Sequence, residues 1–453
     1  MKRLLYFALV LVLAALIVPQ VGSPPPPAEA KAFVNGQWFT GEDFKSTTFY
    51  AVNGVLTRRK PAAGTTETVD LQGGFVVPAF GDAHNHFPST EQNFEKANQA
   101  FLQAGAFYVL NAGGDADKEN PLRLKLGSPA TVDAIFAHSV FTCPDGHPKP
   151  YLEYLNEHGV EFGVLFAKSK LEDHYFRMID SVADIDREWP QFLATKPDFV
   201  KLIFVFSELY QSSDGNEKSM GLRPDLAAEL VRRAKTAGLR TGSHIEDAAD
   251  FHSALVAGVD MVMHLPAFPD PLDRQAAYRN KANWEERYTI SAADIELAVK
   301  RNVTVVTTAA ALSAENFENP NPLTALSENE RRFRKIMIQN LRHLKDAGVR
   351  LAVGSDTMPG AGVLREIDFL KDSDVFSNLE LLKMWSGTTP RAIFPQRKIG
   401  ALQEGYEASF VVFEGNPIQD FKNVKRIRMR VKQGQPSKGI SETRPIRTND
   451  GQT

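Results

Sequence analysis

The chain is poor in cysteine: Cys143 is the only one among its 453 residues. A single cysteine excludes an internal disulfide and a cysteine-rich zinc site. Any metal ion would therefore need ligands from histidine, aspartate, glutamate or a modified lysine.

An excess of charge of one sign is also lacking. The formal net charge is -3, so the chain offers no basic field for nucleic acid, and we expect no nucleic-acid partner. Hydrophobic residues make up 43% of the sequence, which at this length is enough to bury a large core. The composition indicates a globular protein of more than one small domain.

Long apolar runs are scarce, and the clearest one, from Leu4 to Val18, lies at the N-terminus. It follows the cationic Met1-Lys2-Arg3 and precedes Ala28-Glu29-Ala30, a typical signal-peptidase site. We expect residues 1–30 to be a signal peptide cleaved after Ala30, and the protein to be secreted or periplasmic without stable membrane insertion. The run is shorter than the roughly 20 residues of a membrane span. An uncleaved N-terminal anchor is the alternative.

Eight short β-rich runs alternate with helical segments between Phe75 and Asp356. The runs are Phe75–Phe80, Phe107–Asn111, Ala134–Ser139, Phe199–Phe206, Leu239–Ser243, Val259–Met263, Val303–Thr307 and Val349–Gly354. This alternation predicts an α/β protein with a parallel sheet, and eight strands close a (β/α)8 TIM barrel. An open doubly wound sheet is the alternative, but no G-x-G-x-x-G follows the first run.

The flanks of this region carry short β-like pieces separated by glycine and asparagine. We expect residues 31–74 and 396–435 to pair into a small β-sandwich built from both chain ends. The barrel would then span residues 75–395, and residues 436–453 would form a polar, unstructured tail. Two stretches, 142–197 and 265–290, exceed ordinary loop length and would lie over the catalytic face.

The sequence Asp82-Ala83-His84-Asn85-His86 follows the first apolar run. Histidines at i and i+2 of an extended strand point to the same side, and neutral imidazole is the commonest protein ligand for zinc. The pair therefore predicts a metal site, the alternative being two unrelated surface histidines. We expect Asn85, between them, to face outward.

Four further polar residues lie at or near the ends of other predicted strands. They are Lys201, His244, His264 and Asp356. Because strand C-termini of a barrel converge on one mouth, these side chains should meet the histidine pair. Taken singly, each histidine has an ordinary structural explanation, Asp356 could cap a helix, and Lys201 could form a salt bridge. Their joint occurrence predicts a metal centre.

This pattern resembles the amidohydrolase superfamily over nearly the whole mature chain. Further matching segments are Thr388-Thr389-Pro390-Arg391-Ala392, Ile399-Gly400-Ala401-Leu402-Gln403-Glu404-Gly405 and Phe410-Val411-Val412-Phe413-Glu414-Gly415-Asn416-Pro417. Two others, Asn111-Ala112-Gly113-Gly114 and Asp145-Gly146-His147, are similar to the imidazolonepropionase-like and Xaa-Pro-dipeptidase-like branch. The composite β-sandwich is typical of that branch.

The resemblance implies two divalent metal ions, zinc in the first instance, although other first-row metals suit the same ligands. His84, His86 and Asp356 would hold one ion and His244 and His264 the other. Lys201 would bridge them as a carbamate, which turns a repelled cation into an anion. If Lys201 is unmodified, a mononuclear site is the alternative.

In that family a metal-activated hydroxide attacks the scissile bond. The resemblance implies that Asp356 is the proton shuttle, and that His147 or His138 binds the substrate's carbonyl or oxyanion oxygen. For His147 a solvated loop histidine is the alternative.

The sequence thus predicts a secreted metal-dependent hydrolase that cleaves a C–N bond, in an amide, peptide or cyclic amide, of a small molecule. An esterase or lactonase on the same barrel is one alternative, and a non-catalytic metal- or ligand-binding barrel is another. The stretch after Lys201 lacks the Gly-Gly of many relatives, so substrate preference cannot be transferred from them. The oligomeric state stays open, and a homo-oligomer is compatible with the sequence.

Overall fold

The computed structural model describes residues 29–62, 64–157, 172, 174–211, 221–266, 284–311 and 328–437. The predicted signal peptide lies outside this part of the chain apart from its last two residues, and so does nearly all of the predicted tail. Much of the two long stretches expected over the catalytic face is outside it as well. Among the described residues, no helix combines the length and apolar character that crossing a bilayer requires.

The described strands form three sheets. They are β1 Ala30–Phe39, β2 Phe44–Val52, β3 Val55–Thr57, β4 Glu67–Asp70, β5 Phe75–Pro78, β6 Phe80–Asn85, β7 Ala106–Asn111, β8 Asp133–Phe136, β9 Val140–Thr142, β10 Phe176–Met178, β11 Phe199–Ile203, β12 Arg240–His244, β13 Met261–Val262, β14 Thr304–Val306, β15 Arg350–Ala352, β16 Phe410–Phe413, β17 Ile427–Lys432 and β18 Gln435–Pro436.

The described helices mostly follow the parallel strands. They are α1 Glu91–Gln103, α2 Ala116–Glu119, α3 Lys149–Glu157, α4 Val182–Ala194, α5 Pro224–Thr236, α6 Ala248–Ala257, α7 Trp284–Tyr288, α8 Ala292–Arg301, α9 Glu328–Asp346, α10 Ala361–Asp372, α11 Asn378–Lys383 and α12 Thr389–Ile393. Ser291 caps the start of α8, since its side chain accepts a hydrogen bond from the Asp294 amide.

Two parallel sheets make a TIM-barrel-like α/β domain. One has the order β6-β7-β8, and the other has the order β10-β9-β11-β12-β13-β14-β15. The segment after β15 reaches β6 through backbone hydrogen bonds from Ala83 N to Val353 O and from Asp356 N to His84 O, both 2.8 Å. On the other side, Asp198 N donates to Phe136 O at 2.9 Å, which ties the end of β8 to the segment before β11.

The first barrel strand begins later than the sequence suggests. We expected Phe75–Phe80 to be that strand, but β5 belongs to the flanking sheet and β6 is the barrel strand. A single apolar run passes through both elements because nearly every residue in them is buried, and such a run hides the boundary. The third predicted strand, Ala134–Ser139, corresponds to β8, which ends earlier, at Phe136, and a further strand, β9, begins at Val140.

The flanking β-region is built from both chain ends, because β16 pairs antiparallel with β5. Its eight strands form one hydrogen-bonded sheet, so the expected two-layer sandwich is not confirmed. Phe33, Trp38 and Phe410 form its aromatic core. The sheet meets the barrel at Phe80, whose ring stacks on Phe413 of β16 with centroids 6.0 Å apart and on Trp385 with centroids 3.6 Å apart. These contacts fix the base of β6, the strand that leads into the histidine pair.

Candidate metal centre

Four histidines from three strands lie together at the C-terminal mouth of the barrel. His84 is in β6, His86 follows that strand, His244 ends β12 and His264 comes two residues after β13. The His84 and His264 ring centroids are 4.6 Å apart, the His244 and His264 centroids 4.4 Å, and the His84 and His86 centroids 5.6 Å. The structure thus brings together the histidines that the sequence singled out.

Asp356, which follows β15, faces three of these imidazoles. Its Oδ1 lies 3.1 Å from His86 Nε2 and 3.5 Å from His84 Nε2, and its Oδ2 lies 3.8 Å from His264 Nε2. Burial opposes ionisation of this carboxyl, but the neighbouring His84 and His86 outweigh burial and hold its pKa well below the usual range. Asp356 is therefore a carboxylate at neutral pH.

Backbone carbonyl groups fix the tautomers of the first two histidines. His84 Nδ1 lies 2.9 Å from Met263 O, and His86 Nδ1 lies 2.9 Å from Gly113 O. Because a carbonyl oxygen only accepts, each Nδ1 carries the proton, and Nε2 presents its lone pair to Asp356 unless it too is protonated. Burial lowers the pKa of His84 to about 3, so that ring is neutral.

The tautomer of His264 is likewise fixed by a hydrogen bond, in this case with Thr308. The Thr308 hydroxyl lies 3.4 Å from Met263 O, to which it donates, and so accepts from His264 Nδ1 at 2.9 Å. The ligand atoms of His84, His264 and Asp356 all lie within 4.8 Å of one another. Nitrogen lone pairs that face a carboxylate at this range repel it unless a cation or a proton lies between them. The donor set therefore fits a divalent ion such as zinc.

Lys201 lies inside β11 and is 3% exposed. Its Nζ contacts Met263 Sδ at 3.3 Å, and within the described part of the chain no carboxylate lies within salt-bridge distance of it. Burial lowers the pKa of this ammonium to about 7, against the attraction of Asp356. The salt bridge considered as an alternative is thus not observed among the described residues.

His147 lies beside the histidine cluster. Its partly exposed ring stacks on His244, with centroids 4.5 Å apart and planes 21° apart. The Nε2 of His244 lies 3.0 Å from Glu246 Oε1. A loop histidine packed on the cluster is better placed to meet a substrate than a fully solvated one.

Among the described residues, His138 forms no hydrogen bond, ion pair or ring contact with the histidine cluster, and its substrate contact stays a prediction. It is fully buried, with Nδ1 2.8 Å from Glu119 Oε2 and Nε2 3.4 Å from Arg123. Its backbone φ of 57° lies in the left-handed region, so this residue departs from the extended conformation of β8. Burial and then the Arg123 charge lower the pKa of His138 to about 4, so it is a neutral structural partner of Glu119.

A buried polar network, which sequence reasoning missed, joins the segment of His84 and His86 to the segment of Asp356. The expectation that Asn85 faces outward was wrong, because it is 0% exposed. Asn85 Nδ2 donates to Asp82 Oδ2 at 3.0 Å and to Ser355 Oγ at 2.9 Å, and its Oδ1 accepts from the amides of His86 and Phe87. Asp82 also accepts from Ser355 Oγ at 2.6 Å. This network sets the distance between the two segments.

Two other groups of carboxylates and histidine have a spacing that suits a metal ion. In the group Asp115, Asp117 and His174, the ammonium of Lys118 lies 3.5 Å from Asp115. In the group Glu208, Asp247 and Asp250, Arg287 pairs with the first two. In each of these two groups a lysine or arginine side chain already forms an ion pair with the carboxylates.

Comparisons with known proteins agree with this geometry. The Amidohydrolase family model matches residues 215–436. In sequence the chain is 24% identical over 215 residues to ochratoxinase of Aspergillus niger, a match that covers 47% of this chain and 40% of that protein. The aligned part thus spans well under half the length of this curated relative.

Solved structures show the same fold. The crystal structure of A. niger ochratoxinase matches with a TM-score of 0.69 and 16% identity, over 91% of this chain and 96% of that one. A Xaa-Pro dipeptidase with methionine bound in its active site matches with a TM-score of 0.65 and 16% identity, over 91% and 100% of the two chains. The family match over residues 215–436, together with the fold and the converging histidines, supports the resemblance to the amidohydrolase superfamily that the sequence indicates.

Proposed function

We propose that this protein is a secreted, metal-dependent amidohydrolase that cleaves a C–N bond in a small-molecule substrate. The observation that carries the proposal is the position of the Asp356 carboxylate, which faces the Nε2 atoms of three imidazoles. The Nδ1 atom of each of these imidazoles is hydrogen-bonded to an oxygen atom. The match to the Amidohydrolase family model supports a hydrolase, and the donor set supports metal dependence.

His84, His86 and Asp356 would hold one divalent ion and His244 and His264 a second, in a centre completed by carboxylated Lys201. Bound ions would supply an activated water and a polarised substrate carbonyl. The lowered pKa of Lys201 favours this modification, because only the neutral amine reacts with carbon dioxide. Since His244 Nε2 is directed at Glu246, His244 would offer Nδ1.

The chain's own groups would move the protons. Asp356 is ionised, so one of its carboxylate oxygens can take the proton of the attacking water. The same oxygen can then pass that proton to the leaving amine, which must be protonated to depart. His147, stacked on His244, is placed to donate a hydrogen bond to the substrate's carbonyl oxygen as that oxygen gains negative charge.

For the substrate we propose an amide of an amino acid, such as a dipeptide or an N-acyl amino acid, or a cyclic amide. Support comes from the likeness in fold to a Xaa-Pro dipeptidase and from the sequence similarity to ochratoxinase. An ester or lactone would meet the same groups, so the choice between these bonds needs a direct assay.

The test is a hydrolysis screen with protein reconstituted with zinc and bicarbonate. The panel contains dipeptides, N-acyl amino acids, cyclic amides and p-nitrophenyl esters. We expect amide turnover that Asp356→Asn abolishes while most of the bound metal remains. Turnover of esters alone would replace the proposal with an esterase, and bound metal without any turnover would favour a binding protein.

Secretion is part of the proposal and has its own test. It rests on the apolar run that follows Met1-Lys2-Arg3 and on Ala28-Glu29-Ala30. Cleavage after Ala30 would fall inside β1, where Ala30 pairs with Val52 and Lys31 with Ala51. N-terminal sequencing of protein exported from a Gram-negative host should start at Lys31. Retention of Met1 in the membrane fraction would show an anchor instead.

A further inference from the structure

A cavity lies at the opposite end of the barrel from the histidine cluster. Its volume is about 340 Å³, close to the lower limit of small-ligand pockets. Its lining includes the first residues of β12, β13, β14 and β15, whereas the metal centre lies beyond the C-terminal ends of these strands. A ligand in this cavity would therefore be separate from the substrate.

The lining of this cavity, which we call the basic pocket, is strongly cationic. Its charged side chains are Lys235, Arg240, Arg301, Arg350, Arg391 and Asp260. Asp260 is engaged elsewhere, since it accepts from the amide and the hydroxyl of Thr241 at 2.8 and 3.0 Å. Within the described ranges, none of the five cations forms an ion pair, whereas nine other arginines there do.

The cations also lie close to one another. Arg301 Nη1 and Lys235 Nζ are 3.2 and 3.3 Å from the position that a β-carbon on Gly258 would occupy. Gly258 follows α6 and has a φ of 87°. Because it has no side chain, the groups of Arg301 and Lys235 can approach its backbone this closely. Partial burial of the guanidinium, and then the charge of Arg350, lower the pKa of Arg391. Like charges held this near one another repel unless an anion lies between them.

The negative C-terminal ends of helices neutralise only part of the positive charge in the basic pocket. Arg240 donates to Ala392 O and Ile393 O, both at 2.6 Å, and so caps the end of α12. Four helices, α5, α6, α8 and α12, end at the pocket, and each C-terminus supplies roughly half a negative charge. Five cations against one carboxylate leave four positive charges, so the helix ends offset roughly two of them at most.

We propose that the basic pocket binds a small anion that carries phosphate. The remaining charge of roughly two matches the roughly two negative charges of a phosphate monoester near neutral pH. Four of the five cations are arginines, whose planar forks match the oxygens of phosphate in pairs. The phosphate belongs either to a free small molecule or to a lipid headgroup, which present the same chemistry.

The experiment is isothermal titration calorimetry of the full protein with inorganic pyrophosphate at low and high salt. We expect one saturable site per chain that weakens as salt rises. The double variant Arg301→Gln and Arg350→Gln should bind about tenfold more weakly. Lys300→Gln, which changes an exposed lysine outside the pocket lining on the same helix as Arg301, is the matched control and should bind like the wild type. Binding to phosphatidylglycerol vesicles but not to phosphatidylcholine vesicles, lost in the same double variant, would identify a lipid source.

Three results would overturn the proposal. The first is an absence of binding to both pyrophosphate and anionic vesicles. The second is an equal loss in Lys300→Gln, which would show a diffuse effect of surface charge. The third is tighter binding of citrate than of pyrophosphate, which would assign the pocket to carboxylates. Thermal melts of each variant establish that it is folded, and Arg301→Gln alone serves if the double variant is not.

Discussion

Replacement of Asn85 by alanine tests whether the buried network positions the metal ligands. The side chain accepts from two backbone amides, those of His86 and Phe87, at 2.9 and 3.0 Å, and donates to three oxygens. Each buried donor left without an acceptor costs about 1–3 kcal/mol, so Asn85→Ala should lower the free energy of unfolding by about 2–6 kcal/mol.

The same substitution should weaken metal binding, because the network ties the strand of His84 and His86 to the segment of Asp356. Loss of groups that orient metal ligands typically weakens affinity about 10- to 100-fold, and we expect a value in that range. The assay is a zinc titration against a chromophoric chelator, carried out on protein shown to be folded by circular dichroism.

Asn98→Ala is the matched control. Asn98 is also buried, donates to Ala130 O at 3.1 Å and accepts from Val132 N at 2.9 Å, but it lies on α1, away from the histidines. It should lose stability, by about 1–3 kcal/mol, without a change in zinc affinity. If Asn85→Ala and Asn98→Ala bind zinc as tightly as the wild type, the positioning role is refuted.

Three further predictions concern single side chains. Lys201→Ala should lower metal content and turnover, with partial rescue by a short carboxylic acid; unchanged metal content and rate would mean a mononuclear site. His138→Ala should lower the free energy of unfolding by about 1–3 kcal/mol by leaving buried Glu119 without this hydrogen-bond partner, and a rise in KM without loss of stability in denaturant titrations would support the substrate-binding hypothesis. Burial raises the pKa of Glu366 from 4.5 to about 7, so the folded state keeps this proton to higher pH than the unfolded chain, and its contribution falls by about 3 kcal/mol as pH rises through that window. Glu366→Gln should flatten the stability curve between those pH values, whereas an unchanged slope in urea titrations would contradict the assignment.

The converging site was predictable because it depends on one general property of parallel strands. Residues at the carboxyl ends of such strands meet at one mouth of the barrel. The positions of the apolar runs therefore predicted that four side chains lie close together, those of His84, His244, His264 and Asp356. The division of one apolar run into β5 and β6 was not predictable, since both elements are buried and no polar residue separates them.

The direction of individual side chains was harder to predict. His138 was expected to contact the substrate, but its ring contacts Glu119 and its φ is positive, and nothing in the residue order indicates that backbone angle. Asn85 was expected outside because alternation places it opposite the histidines. That opposite face is itself buried, and there Asn85 contacts Asp82 and Ser355. The one available signal of such a network was a second polar residue, Asp82, three positions before Asn85.

Anomalous diffraction at the zinc edge from crystals grown with zinc and bicarbonate tests the central claim most directly. We predict the strongest peak within bonding distance of His84 Nε2, His86 Nε2 and Asp356, with density for a carboxyl group on Lys201. A peak only at Asp115, Asp117 and His174, or no peak at all at saturating zinc, would contradict a metal centre at the barrel mouth.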